Sequence, residues 1–326
     1  YHDNFISHGH LAVDFFFCLS GFVIAYAYDS RLESIGAWQF IKLRLIRLHP
    51  LVVVGSALGL LLFILDPYST LHTLFSPLKK LLLFICSVFM IPYPAVAERY
   101  NNFFHLNPPT WSLFWEYIAN IFYALFFFRL RSKLIGVLVF FAALLLWYEA
   151  YSSGNLSVGW GAGNFGGGGV RVLYSFLAGM LLYRMKWIIR SNVGFTVLAV
   201  LLVLAFIIPY DLATNKWIEP LVVIFYFPLL VALGAGTTSA PFLQKLCGGL
   251  GEVSYPLYMV HYPFMWLFFS YIQKYKPGME ALIPIILTGI VAMITLAFLV
   301  LKYVDQPIRY WLLKRNPVHK IGPKAR

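Results

Sequence analysis

Two carboxylates lie inside apolar sequence, where a charge is expensive. Asp14 is near the start of HLAVDFFFCLSGFVIAYAYDSRL, residues 10–32, and Glu116 is within NPPTWSLFWEYIANIFYALF. An ionisable group in a bilayer costs at least about 2.5 kcal/mol on insertion scales, so each is a candidate for function. Ser112, Glu116 and Asn120 recur at i, i+4 and i+8, which makes one polar stripe on a helix. Trp111 and Trp115 suit interfacial anchors, whereas Glu116 lies a full turn into the helix. The alternative for Asp14 is a helix N-terminal carboxylate favoured by the dipole.

Two further polar groups interrupt the hydrophobic pattern. In GEVSYPLYMVHYPF, Ser254, Tyr258 and His261 share a face at i, i+4 and i+7. A single helical histidine is more often a hydrogen-bonded packing residue than a catalyst, so both readings of His261 stand. In FIKLRLIRLHP, the residues Lys42, Arg44, Arg47 and His49 lead into an apolar run. A topological signal accounts for most of these charges. Arg47 stands nearest the membrane, where an inward-facing guanidinium could bind the phosphates of an anionic donor.

The elements that would position these groups are membrane helices. Of 326 residues, 60% are hydrophobic and 12% charged, and mean hydropathy is +0.76. Apolar runs fall at 12–28, 46–65, 78–92, 111–128, 133–150, 170–184, 193–209, 218–235, 254–272 and 281–302. Strands of an outer-membrane barrel would alternate over short segments, and these runs do not. The expected fold is all-α, a polytopic transmembrane bundle forming one domain over residues 1–326.

Charge parity sets the topology. Lys and Arg cluster at 29–47, 129–133, 184–190, Lys245 and 302–326, which together hold 18 of the 25 basic residues, as the positive-inside rule expects of cytoplasmic loops. Three apolar runs separate the first two clusters where parity requires two. The run 78–92 is short, begins at Lys79 and Lys80 and ends among prolines, so it reads as re-entrant or interfacial. Nine spans remain, ten with a helix upstream, and the C-terminus is cytoplasmic. Carboxylates then gather near the outer face and basic groups near the inner face.

Other features point away from soluble functions. The net charge of +12 comes from loop clusters, without the basic face of a nucleic-acid reader. Cys18, Cys86 and Cys247 are far apart in apolar surroundings, so neither a disulfide nor a metal site is expected. GWGAGNFGGGG lacks the strand and Lys-Ser/Thr of a phosphate loop and reads as a flexible exterior loop.

Taken in order, LAVDFFFCLSGFVI, FIKLRLIRLHPL, NPPTWSLFWEYIANIFYAL, VRVLYSFLAGMLLYR, LGEVSYPLYMVHYPF and VDQPIRYWLLKR resemble the acyltransferase-3 family of integral membrane O-acyltransferases, known from bacterial surface-polysaccharide modification. The resemblance covers essentially the whole chain and implies the same ten-span fold. Family members carry an Arg, ten residues and a His in their first helix, often as Tyr-His, so Tyr1-His2 resembles the end of that motif. Its Arg and most of the first helix would lie upstream. The interval from His2 to Asp14 is short for the family, which keeps His8 and His10 as further candidates.

The resemblance implies transfer of an acyl group, usually acetyl, from cytoplasmic acyl-CoA to a glycan hydroxyl at the outer face of a bacterial inner membrane. The motif His would be general base or transient acyl carrier, oriented by Asp14 or Glu116. Arg47 and Arg44 would contact CoA phosphates, and Ser112, Trp111, Asn120, Tyr258 and His261 would line the acceptor site. The partners are then acyl-CoA as donor substrate, a glycan and the bilayer, without a bound cofactor, metal or nucleic acid. A transporter of a glycan or small solute is the competing class, although the halves show no inverted repeat.

Overall fold

The computed structural model describes residues 6–237 and 241–315. All ten apolar runs become helices: α1 (Ala12–Tyr28), α2 (Ala37–Ile64), α3 (Pro77–Val88), α4 (Thr110–Leu125), α5 (Ser132–Ser153), α6 (Phe165–Arg184), α7 (Phe195–Phe206), α8 (Asn215–Gly236), α9 (Pro241–Tyr275) and α10 (Met279–Lys314). No named strand forms among the described residues. Among the described residues, six helices are long and apolar enough to cross a membrane: α2, α5, α6, α8, α10, and α1 with the turn Gly9–Leu11 before it. This is a multi-pass membrane protein. The 12 residues of α3 rise about 18 Å, short of the roughly 30 Å hydrocarbon core.

The chain divides into two compact units. The first comprises Tyr1–Ile41 and Ser112–Gln244, and α6 is its centre. Its apolar window is 72% buried, more than any other candidate span, because α6 packs against α1, α5 and α8. Phe17, Ile24, Tyr123, Phe176 and Met180 make one core, and Leu146, Leu156, Tyr174 and Phe227 belong to another. On α5, Phe140, Phe141, Leu144 and Leu145 point outward, as expected when the surrounding solvent is lipid.

The contact between α1 and α6 is closest at two glycines. A Cβ built on Gly179 would stand 1.9 Å from the Cys18 carbonyl oxygen, and one on Gly21 would stand 2.0 Å from that of Phe176. Only hydrogen fits there, so the two backbones touch, as small residues permit between membrane helices.

The second unit comprises Lys42–Trp111 and Lys245–Arg326. The backbone ladder of its helices is interrupted at Pro50 in α2, at Pro256 and Pro263 in α9, and at Pro284 and a π-turn at Leu301–Asp305 in α10. Phe63, Phe75, Leu83, Val96 and Leu106 form a core.

Within it, the Arg99 guanidinium lies 4.7 Å from the ring centroids of both Phe63 and Trp266. It donates to the His105 carbonyl at 3.0 Å. Burial, and then the Arg99 charge, push the His105 imidazole down to about 3, so that ring is neutral. The 93–110 segment is therefore packed into its unit.

Gly179→Ala is expected to lower the thermal unfolding midpoint in detergent, at a cost of about 1–3 kcal/mol for overpacking. Gly136→Ala in α5, where a new Cβ meets nothing within 4 Å, should leave the midpoint unchanged or slightly raised. Equal midpoints for both variants would contradict the close crossing.

Candidate active site

Asp14 is fully buried in the first turn of α1, and Arg171 of α6 meets it side-on. Nε donates to Oδ1 at 3.1 Å and Nη2 to Oδ2 at 2.6 Å. The remaining guanidinium donors reach backbone: Nη1 to the Val158 carbonyl and Nη2 to that of His10, each at 2.9 Å. One planar group thus joins α1, α6, the loop before α6 and the turn that leads into α1. A guanidinium can do this because its donors form a fixed fork that stays charged.

That turn carries two imidazoles, and both face one carboxylate. His8 Nδ1 lies 2.9 Å and His10 Nε2 3.2 Å from Oε1 of Glu219. Glu219 Oε2 accepts from the Leu156 amide. His8 and Glu219 are fully enclosed, whereas the His10 side chain keeps 21% of its surface exposed. The His8 amide donates to the Phe206 carbonyl at 3.0 Å, which ties the turn to the end of α7. Glu219 immediately precedes Pro220 and the π-turn Val222–Tyr226 within α8, a local departure from α-geometry of the kind that recurs at functional sites.

The loop 154–164 therefore does more than connect helices. Leu156 and Val158 are buried, and their backbone groups complete the bonding of Glu219 and Arg171. Asn164 Oδ1 accepts from the amides of Gly159 and Gly161, folding the segment on itself. The expected flexible exterior loop is a structured wall of the site, and its last glycines form the first turn of α6 against Trp115.

At the other end of α1 a second pair repeats the arrangement. Arg184, the last residue of α6, holds Asp29 with Nε to Oδ2 at 2.7 Å and Nη2 to Oδ1 at 2.9 Å, and the Tyr123 hydroxyl donates to the same carboxylate. Pairs at both ends require α1 and α6 to run parallel, the relation that charge parity gives them.

The other sequence candidates are distributed between the units. Glu116 accepts from Ser20 of α1 at 3.0 Å, six residues beyond Asp14, and Asn120 donates to the Glu116 carbonyl at 2.8 Å. Ser112 and Asn120 are buried; the Asn120 Oδ1 has no hydrogen-bond partner among the described residues. The carboxylate that faces the imidazoles is Glu219; Asp14 acts on His10 only through Arg171.

In the second unit Trp111 is buried, and the Tyr258 hydroxyl reaches the Pro109 carbonyl. His261 Nδ1 turns back to the carbonyls of Leu257 and Tyr258, the geometry of a packing histidine. Arg44 is half-buried. Arg47 is exposed, and its charge acts on Asp305. His2 lies outside the described residues. Arg171 and Glu219 belong to no polar stripe or motif in the sequence; their one signal is that each stands one residue inside an apolar run, 170–184 and 218–235.

Arg171→Met would strand Asp14 as a buried anion, at an expected cost of about 3–5 kcal/mol. The double variant Asp14→Asn, Arg171→Met should recover part of that loss in thermal unfolding. An additive double variant would show that the two side chains do not interact.

Comparison with known proteins places the chain. It is 34% identical over 150 residues to Protein 2 in picA locus of Rhizobium radiobacter, spanning 43% of this chain and 78% of the relative. No solved structure matches. The Acyltransferase domain family matches residues 1–302, a stretch that contains every described site residue, and the chain belongs to this acyltransferase-3 family.

Proposed function

We propose that this membrane acyltransferase moves an acyl group, acetyl in the simplest case, from cytoplasmic acyl-CoA to a hydroxyl of a cell-surface or lipid-linked glycan. The observation that carries this reading is the Arg171 guanidinium, which links the Asp14 carboxylate to the backbone of His10. It fixes the turn before α1, at His10, onto the helix bundle. A general base needs such placement before its pKa matters.

His2 takes the role of general base or transient acyl carrier. As base, it removes the proton of the acceptor hydroxyl while the oxygen attacks the thioester carbonyl. The C–S bond then breaks, and the CoA thiolate leaves and takes up a proton. Asp14, through Arg171, and Glu116, through its bond to Ser20, support the N-terminal elements on which this chemistry stands.

Arg44 and Arg47 contact the CoA phosphates from the cytoplasmic side. Ser112 and Asn120 of the first unit contact the acceptor, and the buried Oδ1 of Asn120, without a hydrogen-bond partner among the described residues, is an acceptor available to a sugar hydroxyl. The enzyme would sit in a bacterial inner membrane with its C-terminus cytoplasmic, the orientation that the basic loop clusters favour.

Inside-out vesicles carrying the full-length enzyme and its glycan, fed labelled acetyl-CoA, should accumulate label on the lumenal glycan. His2→Ala should reduce that rate by about 10²–10⁴-fold, the usual contribution of a positioned acid–base group. An unchanged rate would remove His2 from the mechanism, and glycan export without labelling would favour a transporter.

A further inference from the structure

The acyl-transfer reading places its base at His2, which leaves the histidines of the His8-Gly9-His10 turn and Glu219 unused. We propose that His8, His10 and Glu219 bind one divalent transition-metal ion, zinc by preference. The ligand atoms are His8 Nδ1, His10 Nε2 and Glu219 Oε1.

The donor set is the first reason. Two imidazoles and one carboxylate are a common protein complement of zinc sites that keep one position open. One donor atom from each residue lies within 4.8 Å of the other two. Ligands at the ordinary bond length of about 2.0–2.1 Å in a tetrahedral site stand about 3.3 Å apart. Oε1 already lies 2.9 Å from His8 Nδ1 and 3.2 Å from His10 Nε2, so an ion requires only small side-chain movements.

Charge is the second reason. Glu219 is fully buried in an apolar helix, and its described partners are the two imidazoles and the Leu156 amide. Asp14 and Asp29 each have an arginine; Glu219 has no Lys or Arg partner among the described residues. A buried anion of this kind needs a cation. A divalent ion supplies it, with both imidazoles as ligands.

Support around the ligands is the third reason. The Leu156 amide occupies Oε2 and leaves Oε1 for the ion. Arg171 holds the His10 carbonyl, and the Phe206 carbonyl holds the His8 amide. Such outer contacts orient metal ligands. The partly exposed edge of His10 is where an ion can enter and where water can take the fourth position. The ion would tie the His8-Gly9-His10 turn to α8, whose ligand is more than 200 residues away in the chain, and so brace the segment that precedes α1.

The full-length protein, purified in detergent without a histidine tag and stripped by chelator, tests this with zinc alone. Elemental analysis after reloading should give one zinc per chain, with a raised thermal midpoint. His10→Asn, the variant with the least buried side chain, and Glu219→Gln should each weaken binding more than tenfold, while His72→Asn leaves it intact.

Should the variants fail to fold, cobalt loaded into the wild type reads the site directly. An intense visible spectrum of four-coordinate cobalt supports the proposal. Weak octahedral bands, absence of stoichiometric metal, or wild-type affinity in both His10→Asn and Glu219→Gln would overturn it. None of these measurements depends on acyl transfer, so their failure is separate from that of His2.

Discussion

The arrangement of the first unit depends on one ion pair, Asp14 with Arg171. A carboxylate buried in a helix bundle without a partner would cost several kcal/mol. Asp14 therefore fixes where Arg171 must be, and Arg171 then fixes more than Asp14. Its two spare backbone contacts seize the Val158 and His10 carbonyls, so the loop before α6 and the turn before α1 converge on one point. The close approach at Gly21 and Gly179 holds the same two helices between their terminal ion pairs, which sets both position and direction.

Helix irregularity is placed with comparable effect. Glu219 precedes Pro220 and the π-turn Val222–Tyr226, and its carboxylate reaches the imidazoles and the Leu156 amide together. A carboxylate enclosed in a helix bundle has few candidate partners, and here the backbone of a glycine-rich loop supplies one of them. That loop is ordered because it satisfies buried polar groups, whatever flexibility its composition would permit in water.

The second unit solves the same problem with aromatic rings. Arg99 is enclosed by Phe63 and Trp266 and donates to the His105 carbonyl. A guanidinium is weakly hydrated and planar, so ring faces accommodate it where a lysine ammonium would lose more hydration. Asp66 accepts from Ser270 and from the Tyr68 amide, and its charge also acts on Arg99.

The sequence by itself determined the apolar segments, and each of the ten became a helix, because hydropathy over a dozen or more residues is a local property. It also identified Asp14 and Glu116 as residues whose placement needs a reason, since the cost of a charge among apolar neighbours is readable without a fold. Which groups answer those charges was decided only by tertiary structure. Asp14 and Arg171 are 157 residues apart, and His8 and Glu219 are 211 apart; no spacing rule spans such intervals. Arg171 and Glu219 looked like the charged margins of two hydrophobic runs. They became the centre of a site when the packing of α1, α6 and α8 enclosed them, because burial turns an ordinary boundary charge into one that must find a partner.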